Sequence, residues 1–232
     1  MPGSRRSALL ALGGIALAAV LAVLGHLTVN EDLNPWSLTV SDFAVSDRGG
    51  VIDVAMAVLA TATVVLLSAL RRAGQLARVL LAAWSAGLLT AAVVPTNEPG
   101  LPMDTAAYLH RYASVVAFVA LPIAGWLLAE RLGGRAAGWL RALALTSLLL
   151  AGAMVWSAYP GDRALLGLVE RLLILAEVTL LAVVAATLVR RPVRHSPDRV
   201  RTPNGPPPSA ERRRAGRPDR AGRHAVTPAR AA

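Results

Sequence analysis

The stretch ALLGLVERLLILAEVTLLAVVAATLV, residues Ala164 to Val189, decides the fold. Its 26 residues hold three ionisable side chains, Glu170, Arg171 and Glu177, and are otherwise apolar or small apart from two threonines. About 20 predominantly apolar residues in a helix cross the roughly 30 Å hydrocarbon core of a bilayer, so this segment predicts a spanning helix. Five more apolar runs precede it: Ser7 to Leu27, Val51 to Leu70, Val79 to Val94, Ala106 to Leu128 and Ala137 to Val155. The third has only 16 residues and borrows from Ala77 or Pro95. A buried helix of a soluble protein imitates one such run, not six before residue 190. The expected fold is an all-α polytopic membrane bundle of six helices over residues 1–190, followed by a tail over 191–232.

Arginine placement gives an orientation, because positive charge is retained on the cytoplasmic side. Arg5 and Arg6 precede the first run. Arg71, Arg72 and Arg78 sit between the second and third, Arg131, Arg135 and Arg141 between the fourth and fifth, and a basic tail follows the sixth. These are alternate connections and fall on one side. The other side holds Glu31, Asp32, Asp42, Asp47, Glu98, Asp104 and Asp162. Both termini are therefore expected in the cytoplasm. The first run, although preceded by Ser4-Arg5-Arg6, is longer than a signal-peptide core and lacks a small-x-small cleavage site. It is read as a retained helix. Every one of the 24 cations is arginine and alanine is abundant, which fits codon bias from a GC-rich genome and is no functional signal. The location expected is the cytoplasmic membrane of a bacterium.

Composition agrees: 55% of residues are hydrophobic and 16% charged, against about a quarter charged in soluble domains, and the mean hydropathy is +0.52. From Arg190 onward, 12 arginines face three acids, Asp198, Glu211 and Asp219, for a net of +9; residues 1–189 carry 12 arginines and 11 acids, a net of +1. The pI near 11.5 thus belongs to the tail, and the body gives no nucleic-acid signal. Rich in Pro, Gly and Arg, the tail lacks the apolar surface that offsets ordering entropy and is expected to be disordered. It reinforces topology as a solvated segment, attaches to anionic lipid head groups, worth about 1 kcal/mol per basic residue, or contacts RNA or DNA. Absence of cysteine excludes disulfides, thiolate metal sites and a cysteine nucleophile.

Ionisable groups inside a bilayer are functional candidates because their burial is costly unless they are paired or hydrated. His26 ends the first run, Asp53 opens the second, and His110 lies one turn into the fourth with Ser114 at i+4. Arg171 stands seven residues into the sixth run, and Glu177 near its middle. His26, Asp53, His110 and Arg171 are expected in the outer third of the membrane. They either line one outward-facing polar pocket, or Asp53 pairs with Arg171 while the histidines are merely wetted. Glu177 is too poorly angled to pair with Arg171, so it bonds another helix or carries a proton. In the first outer connection, Ser41-Asp42 is expected to cap a short helix. Trp36, Trp156 and Tyr159 suit an outer aromatic belt, and Pro122 implies a kink in the fourth helix.

No H-E-x-x-H, G-x-S-x-G, phosphate-loop or dinucleotide motif occurs. His26 and His110 are too few for a multi-haem cytochrome, although one haem between them is geometrically thinkable. His26, His110 and Asp42 or Asp53 make a zinc set of the size a hydrolase needs, without diagnostic spacing. No inverted repeat with broken helices is evident, against a secondary transporter.

Four places resemble the polytopic membrane family catalogued as domain of unknown function 998. They are Ser37-Leu-Thr-Val-Ser41-Asp42, Pro95-Thr96-Asn97, His110-Arg-Tyr-Ala-Ser114 running into Phe118-Val-Ala-Leu-Pro122, and Gly167-Leu-Val-Glu170-Arg171. The resemblance covers about Leu10 to Arg190. It implies a six-helix bundle in the plasma membrane, draws attention to Ser41, His110 and Arg171, and supplies no reaction. The family pattern often has an acid where Asn97 stands and Gln where Glu170 stands, so it assigns neither side chain a role.

The function expected first is therefore that of an integral membrane protein without an assigned reaction. An outward polar pocket of Ser41, Asp42, Asp53, His110, Ser114 and Arg171 would bind a lipid head group or small ligand. One rival is a membrane-embedded lipid hydrolase in which His110 and Asp53 or another carboxylate activate water, with or without zinc. The other is a proton-coupled carrier relaying through Glu177 and Asp53.

Overall fold

The structure is a computed structural model describing residues 2–28, 34–45, 50–71, 73–97 and 101–190, and among these every regular element is helical. The elements are α1 (Pro2–Thr28), α2 (Val40–Ala44), α3 (Gly50–Ala69), α4 (Gln75–Val93), α5 (Thr105–Leu132), α6 (Gly134–Ala158) and α7 (Leu166–Arg190). All but α2 are long and apolar enough to cross a membrane. Glu31, Asp32, Asp47, Arg72, Glu98 and the tail lie outside the described residues.

The third span differs from the sequence reading. α4 starts at Gln75, behind Gly74 with φ 93°, and has 19 residues. Its first turn carries Gln75 and Arg78, polar groups that hydropathy assigns to a loop but that reach water from a helix end. Thr39, rather than Ser41 or Asp42, is the N-cap of α2. Its hydroxyl accepts from Asp42 N–H while the Asp42 carboxylate accepts from Thr39 N–H, a complete capping box. Pro122 lies buried inside α5, which continues through it.

The spanning helices form a ring in chain order: α1 packs on α3, α3 on α4, α4 on α5, α5 on α6, α6 on α7, and α7 closes onto α1. α2 sits at one end against α3 and α7. Small residues permit this closeness. On α1, Ala8, Ala11, Ile15 and Ala18 are buried at steps of three and four. A Cβ on Gly14 would stand 2.7 Å from Ala62 Cβ, and one on Gly25 2.7 Å from Ile52 Cγ1. Between helices surrounded by lipid, van der Waals contact of this kind replaces the hydrophobic drive. The outer surface is correspondingly apolar: Leu10, Leu149 and Leu175 are 69, 67 and 62% exposed, as lipid contact permits and water does not.

Trp36, Trp156 and Tyr159 are exposed at the end where α1 leaves, α3 and α5 begin, and α7 enters, as an interfacial belt requires. Arg71, Arg78, Arg131, Arg135 and Arg141 lie at the opposite end.

Candidate functional site

At the aromatic-belted end, residues 34–45 form a cover held through polar groups of α7, α5 and the α6–α7 connection, with an imidazole of α1 stacked on it. α7 contributes most. Arg171 Nη1 donates to the carbonyls of Pro35 (2.8 Å) and Leu38 (2.9 Å) as well as to Gly167 one turn back (2.9 Å). Its guanidinium lies over the ring of Phe43, 4.8 Å from the centroid. Glu170 Oε2 accepts from Val40 N–H at 2.6 Å, and the amides of Gly167 and Leu168 donate to Trp36 O. The last two are first-turn amides without an intrahelical acceptor, so the cover caps α7. Only glycine fits at 167, because a Cβ would collide with Leu38 O and Pro35 O.

α5 holds the cover from another side. His110, 6% exposed, has Nδ1 2.8 Å from Val94 O and Nε2 2.9 Å from Ser41 Oγ. The local sequence explains the first contact. Val94 precedes Pro95 and is driven out of helical geometry (φ −96°, ψ 112°), which turns its carbonyl away from α4. A carbonyl only accepts, so Nδ1 carries a proton; in the neutral ring Nε2 then accepts from the Ser41 hydroxyl.

The α6–α7 connection adds the salt bridge found among the described residues, Arg163 Nη2 to Asp42 Oδ2 at 3.2 Å. Arg163 sits in a turn at φ 62°. That turn is fixed by Arg163 N–H donating to Ser157 O and by Ser157 Oγ donating to Ala164 O.

α1 supplies His26. Its ring stacks on Phe43 with centroids 5.4 Å apart, and Nδ1 donates to Ala22 O at 2.7 Å. Phe43 is thus flanked by a guanidinium and an imidazole. Each of these has one buried nitrogen, Arg171 Nη2 and His26 Nε2, that finds no protein partner among the described residues.

The sequence candidates therefore separate. Ser41, Asp42, His110, Arg171 and His26 meet on the cover. Ser114 does not reach it, its hydroxyl being bonded to His110 O within α5. Asp53 is half-buried near the start of α3, and the Asp53–Arg171 pair is not formed among the described residues, because Arg171 is engaged by backbone carbonyls. No three His or carboxylate groups among the described residues stand close enough to hold a metal ion, so the set of His26, His110 and Asp42 or Asp53 does not fit zinc. Both His110 ring nitrogens are occupied by protein atoms, which also does not fit a haem ligand. Sequence reasoning missed Phe43, Thr39, Gly167 and the Val94 carbonyl. Of these only Gly167 left a signal, a lone glycine at the head of an apolar run.

Glu177 is separate from the cover. About 16 Å along α7 from Leu166 at 1.5 Å per residue, its Oε2 accepts from Trp84 Nε1 on α4 at 3.2 Å, and both residues are buried. The bond to another helix, one of the two fates open to it in the sequence, is thus made. Oε1 finds no protein partner among the described residues.

Neither the curated proteins nor the solved structures contain a match to this chain. A family model does match, over residues 11–187, from within α1 to within the last turn of α7 and including the cover: the chain belongs to the family described as protein of unknown function (DUF998).

Proposed function

We propose that this integral membrane protein binds an anionic head group beneath the cover at its aromatic-belted, outward-facing end. The observation that carries the reading is the pair of buried, unpartnered nitrogens, Arg171 Nη2 and His26 Nε2, on the two groups that flank Phe43. A buried polar atom without a partner costs about 1–3 kcal/mol. Arg171 Nη2 is a donor, and His26 Nε2, with the ring proton on Nδ1, accepts in the neutral ring and donates in the charged one. The two therefore favour a ligand that brings oxygen acceptors and an exchangeable proton. A phosphate or carboxylate serves both, and arginine recognises such groups through several nitrogens at once. The cover, held through the carbonyls of Pro35, Trp36 and Leu38, the Val40 amide, Ser41 and Asp42, lies over that site.

The test is native mass spectrometry of detergent-purified protein with short-chain phosphatidic acid, comparing wild type with His26→Leu and Arg171→Lys. His26 hydrogen-bonds only to its own helix and meets the cover by stacking on Phe43, an apolar contact that leucine keeps, so His26→Leu leaves the cover's tethers in place. We expect each variant to weaken lipid binding about tenfold, the loss of one charge-assisted bond. Undiminished binding in both variants sinks the reading.

A second reading, of a membrane-embedded hydrolase, draws on the tautomer of His110. With Nδ1–H held by Val94 O, Nε2 stands as a base toward Ser41 Oγ at 2.9 Å, the spacing of a nucleophile–base pair oriented by a third group. In that mechanism Ser41 Oγ attacks an acyl carbonyl as Nε2 takes its proton, the C–O bond to the lipid alcohol breaks, and the alcohol leaves with that proton. Water, deprotonated by the same Nε2, then hydrolyses the acyl-serine to the free acid without zinc. Covalent labelling by a lipophilic fluorophosphonate, present in wild type and absent in both Ser41→Ala and His110→Gln, distinguishes it from binding alone.

A further inference from the structure

The end opposite the cover carries a cleft of about 580 Å³ where α3 turns into α4. One wall is polar, with Arg71, Gln75 and Arg78; the other is apolar, with Leu67, Val79 and Ala82. A third guanidinium stands beside it, next to the lining residue Gly74. A Cβ on Gly74 would stand 3.9 Å from Arg131 Nη2, so the last turn of α5 brings its arginine against the turn. Gly74 at φ 93° makes that approach and leaves the start of α4 without a side-chain cap. None of the three guanidiniums makes a salt bridge among the described residues, although Glu130 is adjacent in sequence to Arg131.

We propose that this cleft is a site for one anionic phospholipid, its phosphate held among Arg71, Arg78 and Arg131 and an acyl chain laid along Leu67, Val79 and Ala82. Retention of positive charge on one side of the membrane requires arginines in these connections but does not require them to converge from two helix pairs on a cavity with an apolar wall. Guanidinium nitrogens match phosphate oxygens in several-point contact, and the uncapped amides of a 19-residue helix favour the same charge. The height is right as well: the arginines lie at the helix ends, and the apolar wall runs inward from them along α3 and α4. Each basic group near a membrane surface attracts anionic lipid by about 1 kcal/mol; three on one phosphate make a site instead of a diffuse preference.

The experiment is native mass spectrometry of the full chain titrated with phosphatidylglycerol or phosphatidylcholine. Four proteins are compared: wild type, the triple variant Arg71→Gln/Arg78→Gln/Arg131→Gln, Ala82→Phe, and Arg141→Gln. Ala82→Phe fills the cleft from an exposed position and keeps every charge, which guards against a triple variant that inserts wrongly. Arg141 serves as control because it lies at the same end but over Trp126, at 5.9 Å. Wild type is expected to bind one phosphatidylglycerol about tenfold or more tighter than phosphatidylcholine. The triple variant and Ala82→Phe should lose that preference, and Arg141→Gln should keep it. Equal binding of the two lipids in wild type overturns the proposal, as does a preference that survives both cleft variants. Arg141→Gln weakening binding as much as the triple variant would reduce it to general surface charge. Full displacement of the lipid by inorganic phosphate would make the site one for a free anion.

Discussion

Glu170 and Glu177, seven residues apart on α7, are both buried carboxylates with one hydrogen-bond donor each, Val40 N–H and Trp84 Nε1–H. A glutamine oxygen accepts the same bonds without carrying charge into the bundle. Glu170→Gln is therefore expected to leave thermal stability in detergent unchanged or raised. Glu170→Leu removes the acceptor and should lower stability by about 1–3 kcal/mol through the stranded Val40 amide. For Glu177 the parallel pair is Glu177→Gln, close to neutral, and Glu177→Leu, destabilising by a similar amount, with Trp84→Phe rescuing the leucine variant because no donor is then stranded. A carrier that relays protons through Glu177 behaves differently: its pH-dependent uptake into liposomes vanishes in Glu177→Gln although the fold persists. Uptake that is absent in wild type, or unchanged in the variant, removes the carrier.

At the scale of elements, the cover is held to α7 by a close approach and to α5 by a hydroxyl–imidazole bond. Gly167→Ala pushes a methyl group into Leu38 O and Pro35 O and should detach the cover, at a cost of about 1–3 kcal/mol. Limited proteolysis between residues 34 and 45 reports it directly, since cleavage there should accelerate while the spanning helices stay intact. Ser41→Ala removes one tether only and should accelerate cleavage much less. The α1–α3 contact is equally dependent on missing side chains. Gly25→Val drives a branched group into Ile52 Cγ1 and should lower the melting temperature, whereas a change at Gly13, which faces open space, should not.

For the whole molecule, the arginine-bearing end is expected to face the cytoplasm. The chain has no cysteine, so single cysteines introduced at exposed Trp36 and Gln75 report orientation without background. In intact cells a membrane-impermeant maleimide should label Trp36→Cys, and should label Gln75→Cys only after permeabilisation. The reverse pattern would place the cover and the proposed head-group site in the cytoplasm and contradict the reading by positive charge.

Much of this architecture is local in origin. Six apolar runs fix six helices whatever their neighbours, because a backbone in lipid must satisfy its own hydrogen bonds and a helix does so within one segment. Hydropathy placed the ends less well, as at α4, since a polar first turn reads as a loop. The polar groups near one face were also legible, because residue depth follows from position along a helix. What those groups touch was not. The Asp53–Arg171 pair was reasonable from depth alone, but the ring order of helices sets Arg171 against a connection whose carbonyls take its nitrogens first. His110 meets Ser41 across 69 positions of sequence, and Glu177 meets Trp84 across 93. The number of apolar helices, the end at which arginine gathers and the residues out of place in lipid all follow from the chain read alone. Only the tertiary structure decided their partners, since pairing depends on which helix faces stand together, and periodicity along one chain carries no information about the neighbour.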